Sequence, residues 1–198
     1  CAADESLYYV ADNQVFRAGQ SAAVFRAEDI SYTASADEIL DQPDIKHANG
    51  GRIISISGCA EQIKESGSVY FDNFTLAGVA ADNNSNDVYA IVWSKLENYS
   101  FVDNLYMVAA YDVSAPDKPL SVFFDSGTSD TEAALPNGEI VLKSGDYIYY
   151  ATGYDSVRQS SWSPEILRWD VANTHITSLY DGYLKSGIYS IGVFNNSI

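Results

Sequence analysis

Apolar runs of strand length recur along the chain, separated by clusters of Gly, Ser, Asn, Asp and Pro that signal turns. The clearest is GEIVLKSGDYIYYATGYD (138–155): residues 139–143 and 147–151 read as strands, with Lys143, Ser144, Gly145 and Asp146 turning between them. NLYMVAAYDV (104–113) is apolar enough for a central strand. APDKP follows as a turn, because proline has no amide hydrogen for a ladder. LSVFFDSG (120–127) continues the pattern. SVYFDNFTLAGVA (68–80) and DVYAIVWSKL (87–96) read as two strands bracketing an acidic loop. GRIISISG (51–58), PEILRWDVA (164–172) and GIYSIGVFN (187–195) add three more.

Near the N-terminus, VFRAGQSAAVFRA (15–27) writes the same four letters twice. Folded about Gly19, Gln20 and Ser21, it predicts an antiparallel hairpin, since glycine reaches positive φ without steric cost. That hairpin sets Phe16 and Phe25 on one face and Val15, Val24, Arg17 and Arg26 on the other. Helical signals are few. Ser35 with Glu38 has the form of a capping box and Pro43 supplies a stop, while CAEQIKES (59–66) is a second helical turn.

Many short strands, with turns every roughly eight to twelve residues, indicate an all-β fold. The expected architecture is a two-sheet antiparallel β-sandwich, jelly-roll-like, with one or two short helical turns. Its 198 residues suit a single domain, 1–198. Residues 1–27 form an N-terminal hairpin or arm, available for exchange with a neighbouring subunit.

Composition sharpens this picture. With 46% hydrophobic and 19% charged residues the chain has material for a sizeable core, and fifteen Tyr against one Met tilt it toward sheet. A net charge of −16 repels polyanions, which excludes nucleic acid and disfavours anionic lipid. No apolar run approaches the roughly 18 residues of a membrane-spanning helix. Of the two cysteines, Cys1 resembles the lipid-bearing cysteine of a processed bacterial lipoprotein. A Cys1–Cys59 disulfide and a boundary without meaning are the other readings. The first two place the protein at the cell surface or outside the cell, with any membrane contact made through a lipid on Cys1.

Chemical signatures are mostly negative. His47 and His175 stand in no zinc motif, and no nucleophile elbow, Walker loop or dinucleotide fingerprint occurs. In DNNSND (82–87), Asp82, Asn84 and Asn86 have the alternate spacing of a calcium loop, joined by Asp87. The EF-hand glycine and final glutamate are missing, so a Ca²⁺ site here competes with an ordinary polar turn. Asp125, Asp130 and Glu132 offer loop carboxylates. Trp162, in the polar RQSSWSP, is the best sugar-stacking residue, whereas Trp93 and Trp169 lie in strand patterns where burial is expected.

Three functions fit these features. The first is an exported, non-enzymatic surface protein acting by assembly or adhesion, as a filament, pilus-like or coat subunit. Its assembly arm would carry Tyr8, Tyr9, Val15, Phe16, Val24 and Phe25, and its partners would be copies of itself or other surface proteins. The second is a carbohydrate-binding module supported by Ca²⁺, with glycans as partners. The third, a glycosidase or lyase, needs two facing acids.

Overall fold

The strands that read as continuous apolar runs are those that end up with protein on both sides. A computed structural model describes residues 1–3, 5–42, 56, 59–82, 87–96, 104–127, 136–152, 165–180 and 191. Its central sheet comprises β7 (Thr75–Ala81), β8 (Val88–Lys95), β9 (Asn104–Asp112) and β10 (Ser121–Gly127), each antiparallel to the next. Alternate side chains enter two different cores. Val88, Ala90, Val92, Met107, Ala109, Val122 and Phe124 face the first, and Ile91, Val108, Ala110 and Phe123 face the second. With no wet face there is no polar alternation to read.

Over the second core lies a C-terminal meander of β11 (Pro136–Ser144), β12 (Tyr147–Thr152), β13 (Ile166–Asp170) and β14 (His175–Tyr180). It contributes Ile148, Tyr150, Leu167, Trp169 and Ile176. The β11–β12 turn follows the sequence expectation: Ser144 pairs with Tyr147, and Gly145 takes φ +56°.

The first core is covered by the N-terminal third. Strands β1 (Ala2–Ala3), β2 (Ser6–Ala11), β3 (Gln14–Arg17) and β4 (Ala23–Arg26) form a third sheet. The β5 (Tyr32–Ser35) and β6 (Ser68–Phe71) pair forms a fourth, flanked by helices α1 (Ala36–Leu40) and α2 (Ala60–Ser66). Both helices were legible. Ser35 Oγ accepts the Glu38 amide at 3.1 Å, as a capping box requires, but the Glu38 carboxylate takes the Tyr32 hydroxyl instead of returning to the cap. Among the described residues no helix is long and apolar enough to cross a membrane.

The all-β class holds, in four antiparallel sheets where two were expected. Strands within each sheet follow one another in chain order, except that α1 and α2 lie between β5 and β6; the crossovers of a jelly roll do not appear inside any sheet.

Two local expectations are corrected. The 15–27 hairpin forms, but Val15 pairs with Phe25 and Phe16 with Ala23, leaving Val24 as an extra residue. This bulge turns Val15 and Phe25 together into the first core and sends Phe16 to the opposite face, where it stacks on Tyr9 at 5.5 Å. Residues 68–80 are not one strand. Asn73, at φ +53°, breaks the run, so β6 pairs with β5 while β7 enters the central sheet. Asn13 fastens the layers, donating to the Phe74 carbonyl at 2.8 Å and accepting the Leu76 amide at 2.6 Å.

Candidate functional site

Paired residues in an antiparallel sheet share a face, so register alone lays out both walls of the space between the central and C-terminal sheets. On the C-terminal wall one row is apolar: Ile148, Trp169 and Ile176. The next is Tyr150, Leu167 and Ser178. Last come Thr152 and Glu165, joined by a Glu165 amide to Thr152 Oγ1 bond of 2.8 Å and a Thr152 amide to Glu165 carbonyl bond of 3.0 Å. The central wall runs in parallel: Ser121, Ala110 and Ile91; then Phe123, Val108 and Trp93; then Asp125, Tyr106 and Lys95.

The apolar rows meet where Trp169 Nε1 donates to Ser121 Oγ at 3.1 Å and the indole stands edge-on to Phe123 at 5.1 Å. The polar rows meet around Tyr150. Its phenol is fully buried, and burial first, then the charges of Asp125 and Glu165, hold its pKa well above the ordinary tyrosine value. Asp125 and Ser178 are each 1% exposed. At the rim of this end, Trp93 and Tyr106 lie 6.2 Å apart and the Lys95 ammonium stands 5.9 Å from the Tyr106 ring. Two acids, a phenol and a serine hydroxyl thus occupy one end of the space.

Sequence reasoning had singled out Asp125 alone of this group, and as a loop residue. Structure puts it inside β10, two positions beyond Phe123 on the same inward face. Its companions Asp130 and Glu132 lie outside the described residues, as does Trp162. Tyr150 and Glu165 were missed because each belongs to an ordinary strand pattern, and Ser178 because its strand, short and half polar, did not read as one.

Trp169 lies in the core, as its strand pattern leads one to expect, and is not available to stack on a ligand: it is 0% exposed and its indole N–H is spent on Ser121. Trp93 is half-buried against the second core. Of the calcium-loop residues, Asn84 and Asn86 lie outside the described residues. The Asp82 carboxylate is buried and faces the Lys143 ammonium at 3.2 Å. Lys143 also donates to the Gly145 carbonyl and lies 5.0 Å from the Tyr89 ring, beside a cavity of about 290 Å³. Asp87 accepts the Tyr89 hydroxyl at 3.4 Å. Among the described residues no three His, Cys, Asp or Glu side chains cluster as a metal site.

Within the arm, Val15 and Phe25 belong to the chain's own first core, with Tyr8 and Val24 packed partly against it. Exchange with a neighbour would require that neighbour to refill the same positions. Cys1 and Cys59 are not joined: Cys1 is exposed on the N-terminal sheet, whereas Cys59 is buried at the start of α2, its thiol directed at the Ile56 carbonyl.

No family model, curated protein or solved structure matches the chain.

Proposed function

We propose that this protein acts outside the cell without catalysis, assembling with its own copies through its N-terminal sheet. One observation carries this reading: the exposed stretch of β2, where Leu7, Tyr9 and Val10 are 56%, 44% and 42% open to solvent. These residues point to both faces of the strand, so β2 overhangs the first core instead of lying flat on it. Phe16 backs Tyr9 from β3 in a near-parallel stack, 15° between planes, which makes the patch rigid as well as apolar.

Contiguous exposed apolar surface marks contact sites, and tyrosine is enriched at their centres. A net charge of −16 opposes association of copies. Leu7, Tyr9, Val10 and Phe16 bring no carboxylate to the contact, and salt that screens the remaining charge strengthens it. Light scattering over a concentration series, at low and high salt, tests this. Wild type is expected above the 21.6 kDa of one chain, increasingly so at high salt, with the Leu7→Asp/Tyr9→Asp variant at one chain's mass. A wild type that stays monomeric in every condition overturns the reading.

A second reading, glycan binding, is favoured by the Trp93 and Tyr106 rings at the rim of the inter-sheet space, beside Lys95. It requires binding to at least one saccharide on an array and its loss in Trp93→Ala.

A further inference from the structure

A cavity of about 460 Å³ lies along β4, and neither assembly through β2 nor glycan stacking at Trp93 uses it. That volume is within the range of clefts that hold a ligand. Strand β4 is the outermost strand of the N-terminal sheet. Asn13 accepts the Ala27 amide at 3.2 Å and Val15 pairs with Phe25, so Phe25 and Ala27 turn their backbone groups toward β3, and Arg26 between them turns its amide outward. That amide has no backbone partner among the described residues. One wall of the cavity, residues 23–26, is therefore the open edge of a strand, to which an extended peptide can add.

The floor is apolar. Phe25, Ile30 and Tyr111 line it and are 3%, 8% and 2% exposed, the two rings tilted with centroids 6.0 Å apart. Tyr111 supplies an independent sign: deeply buried as it is, its hydroxyl has no hydrogen-bond partner among the described residues. Burial pushes its pKa up to about 12, with no hydrogen bond contributing. A buried polar group left in this way is costly unless something else satisfies it. Asp29 and Asp117 also line the cavity, and both are exposed. The Arg26 guanidinium, their neighbour, lies 3.3 Å from the Glu28 carboxylate. On a chain of net charge −16, such a rim attracts cations. Rings buried as deeply as Phe25 and Tyr111 offer no open face for a sugar to stack on.

We propose that the cavity beside β4 binds an extended, basic peptide segment of another protein, adding it as a strand to the N-terminal sheet with a lysine or arginine side chain entered over Phe25, Ile30 and Tyr111. Such a side chain matches both parts of the site. Its apolar stem covers the floor, and its N–H groups are donors for the Tyr111 hydroxyl and the Asp29 and Asp117 carboxylates. A carbonyl of the peptide backbone takes the Arg26 amide. Copies of this chain, with eleven basic residues against twenty-seven acidic, are poorer occupants.

The test titrates the full chain into a short fluorescein-labelled peptide that alternates arginine and threonine, and follows anisotropy in about 0.15 M salt, which screens exposed charges. Saturable binding by wild type is expected. Tyr111→Phe, which keeps the ring and loses the hydroxyl, weakens it by about tenfold, and Asp29→Asn and Asp117→Asn by about threefold each. Glu61→Gln, an equal change of charge on α2, keeps the wild-type affinity. The same peptide with proline in place of threonine carries the same charge but cannot form a strand, and binds about tenfold more weakly or worse. Absence of saturable binding by wild type overturns the proposal. So does an affinity that Glu61→Gln lowers as much as Asp117→Asn, which would make the attraction one of overall charge. Equal binding of the proline peptide overturns it too, because no strand would then be added. None of these results bears on assembly through β2, which light scattering reads separately.

Discussion

The two ends of the inter-sheet space both bury polar groups and satisfy them differently. At one end, Trp169 donates its indole N–H to Ser121, and the Ser121 hydroxyl lies 3.1 Å from Thr174 Oγ1. There the polar atoms serve the packing. At the other end Asp125 and Ser178 are buried as deeply, among Tyr150 and Glu165, and the Ser178 hydroxyl is left over. Burying charge and hydroxyl so deeply is costly. One end spends its polar atoms on packing, and at the other the Ser178 hydroxyl has no partner among the described residues.

That contrast is open to attack, and the largest effect is expected at the packed end. Trp169→Ala removes the largest fully buried side chain among the described residues and should lower stability by about 3 to 5 kcal/mol in urea unfolding. A loss under about 1 kcal/mol would mean that the indole is not the keystone of this core. Ser121→Ala leaves that indole donor buried without its partner and should cost about 1 to 3 kcal/mol.

Alkali probes both faces of the central sheet. Tyr150 is held above the ordinary phenol range, and burial pushes Tyr111 up to about 12. A folded-state pKa raised above the unfolded value near 10 favours the neutral phenol. The stability this represents is complete below pH 10 and is lost as pH climbs through 10 toward 12 and beyond. In absorbance titration at 295 nm these tyrosines should ionise late, together with unfolding. A phenol at position 150 that ionises near pH 10 in the folded protein would show its end of the space to be wet.

Ser178→Ala has the smallest expected effect and separates the ends most sharply. It should change stability by less than about 0.5 kcal/mol, or raise it, because no hydrogen bond among the described residues is lost. A cost matching that of Ser121→Ala would erase the distinction.

Much of the element list was legible locally. The runs that became β8, β9 and β10, the glycine turn at 145 and the Ser35 cap each depend on a few adjacent residues. Faces and partners were harder to read. One extra residue at Val24 inverted the side assigned to Val15, and one left-handed residue at Asn73 divided what looked like a single strand between two sheets. Strand β14, HITSLY, went unread because its alternation is short and half polar. The site was barely legible: with twenty-seven acidic residues, nothing local distinguishes Asp125 and Glu165 from the rest.

Periodicity and turn chemistry, written in neighbouring residues, determined by themselves that this chain would be sheet and where many of its strands would turn. Tertiary structure alone decided which strands share a layer, that the central sheet is dry on both faces, and which oxygens meet. Lys143 finds Asp82 across 61 positions, and the charge of Asp125 bears on the Tyr150 phenol only because two sheets stack. Such meetings depend on the sum of many weak packing preferences, and a single bulge redirects them, so no short stretch of sequence encodes them.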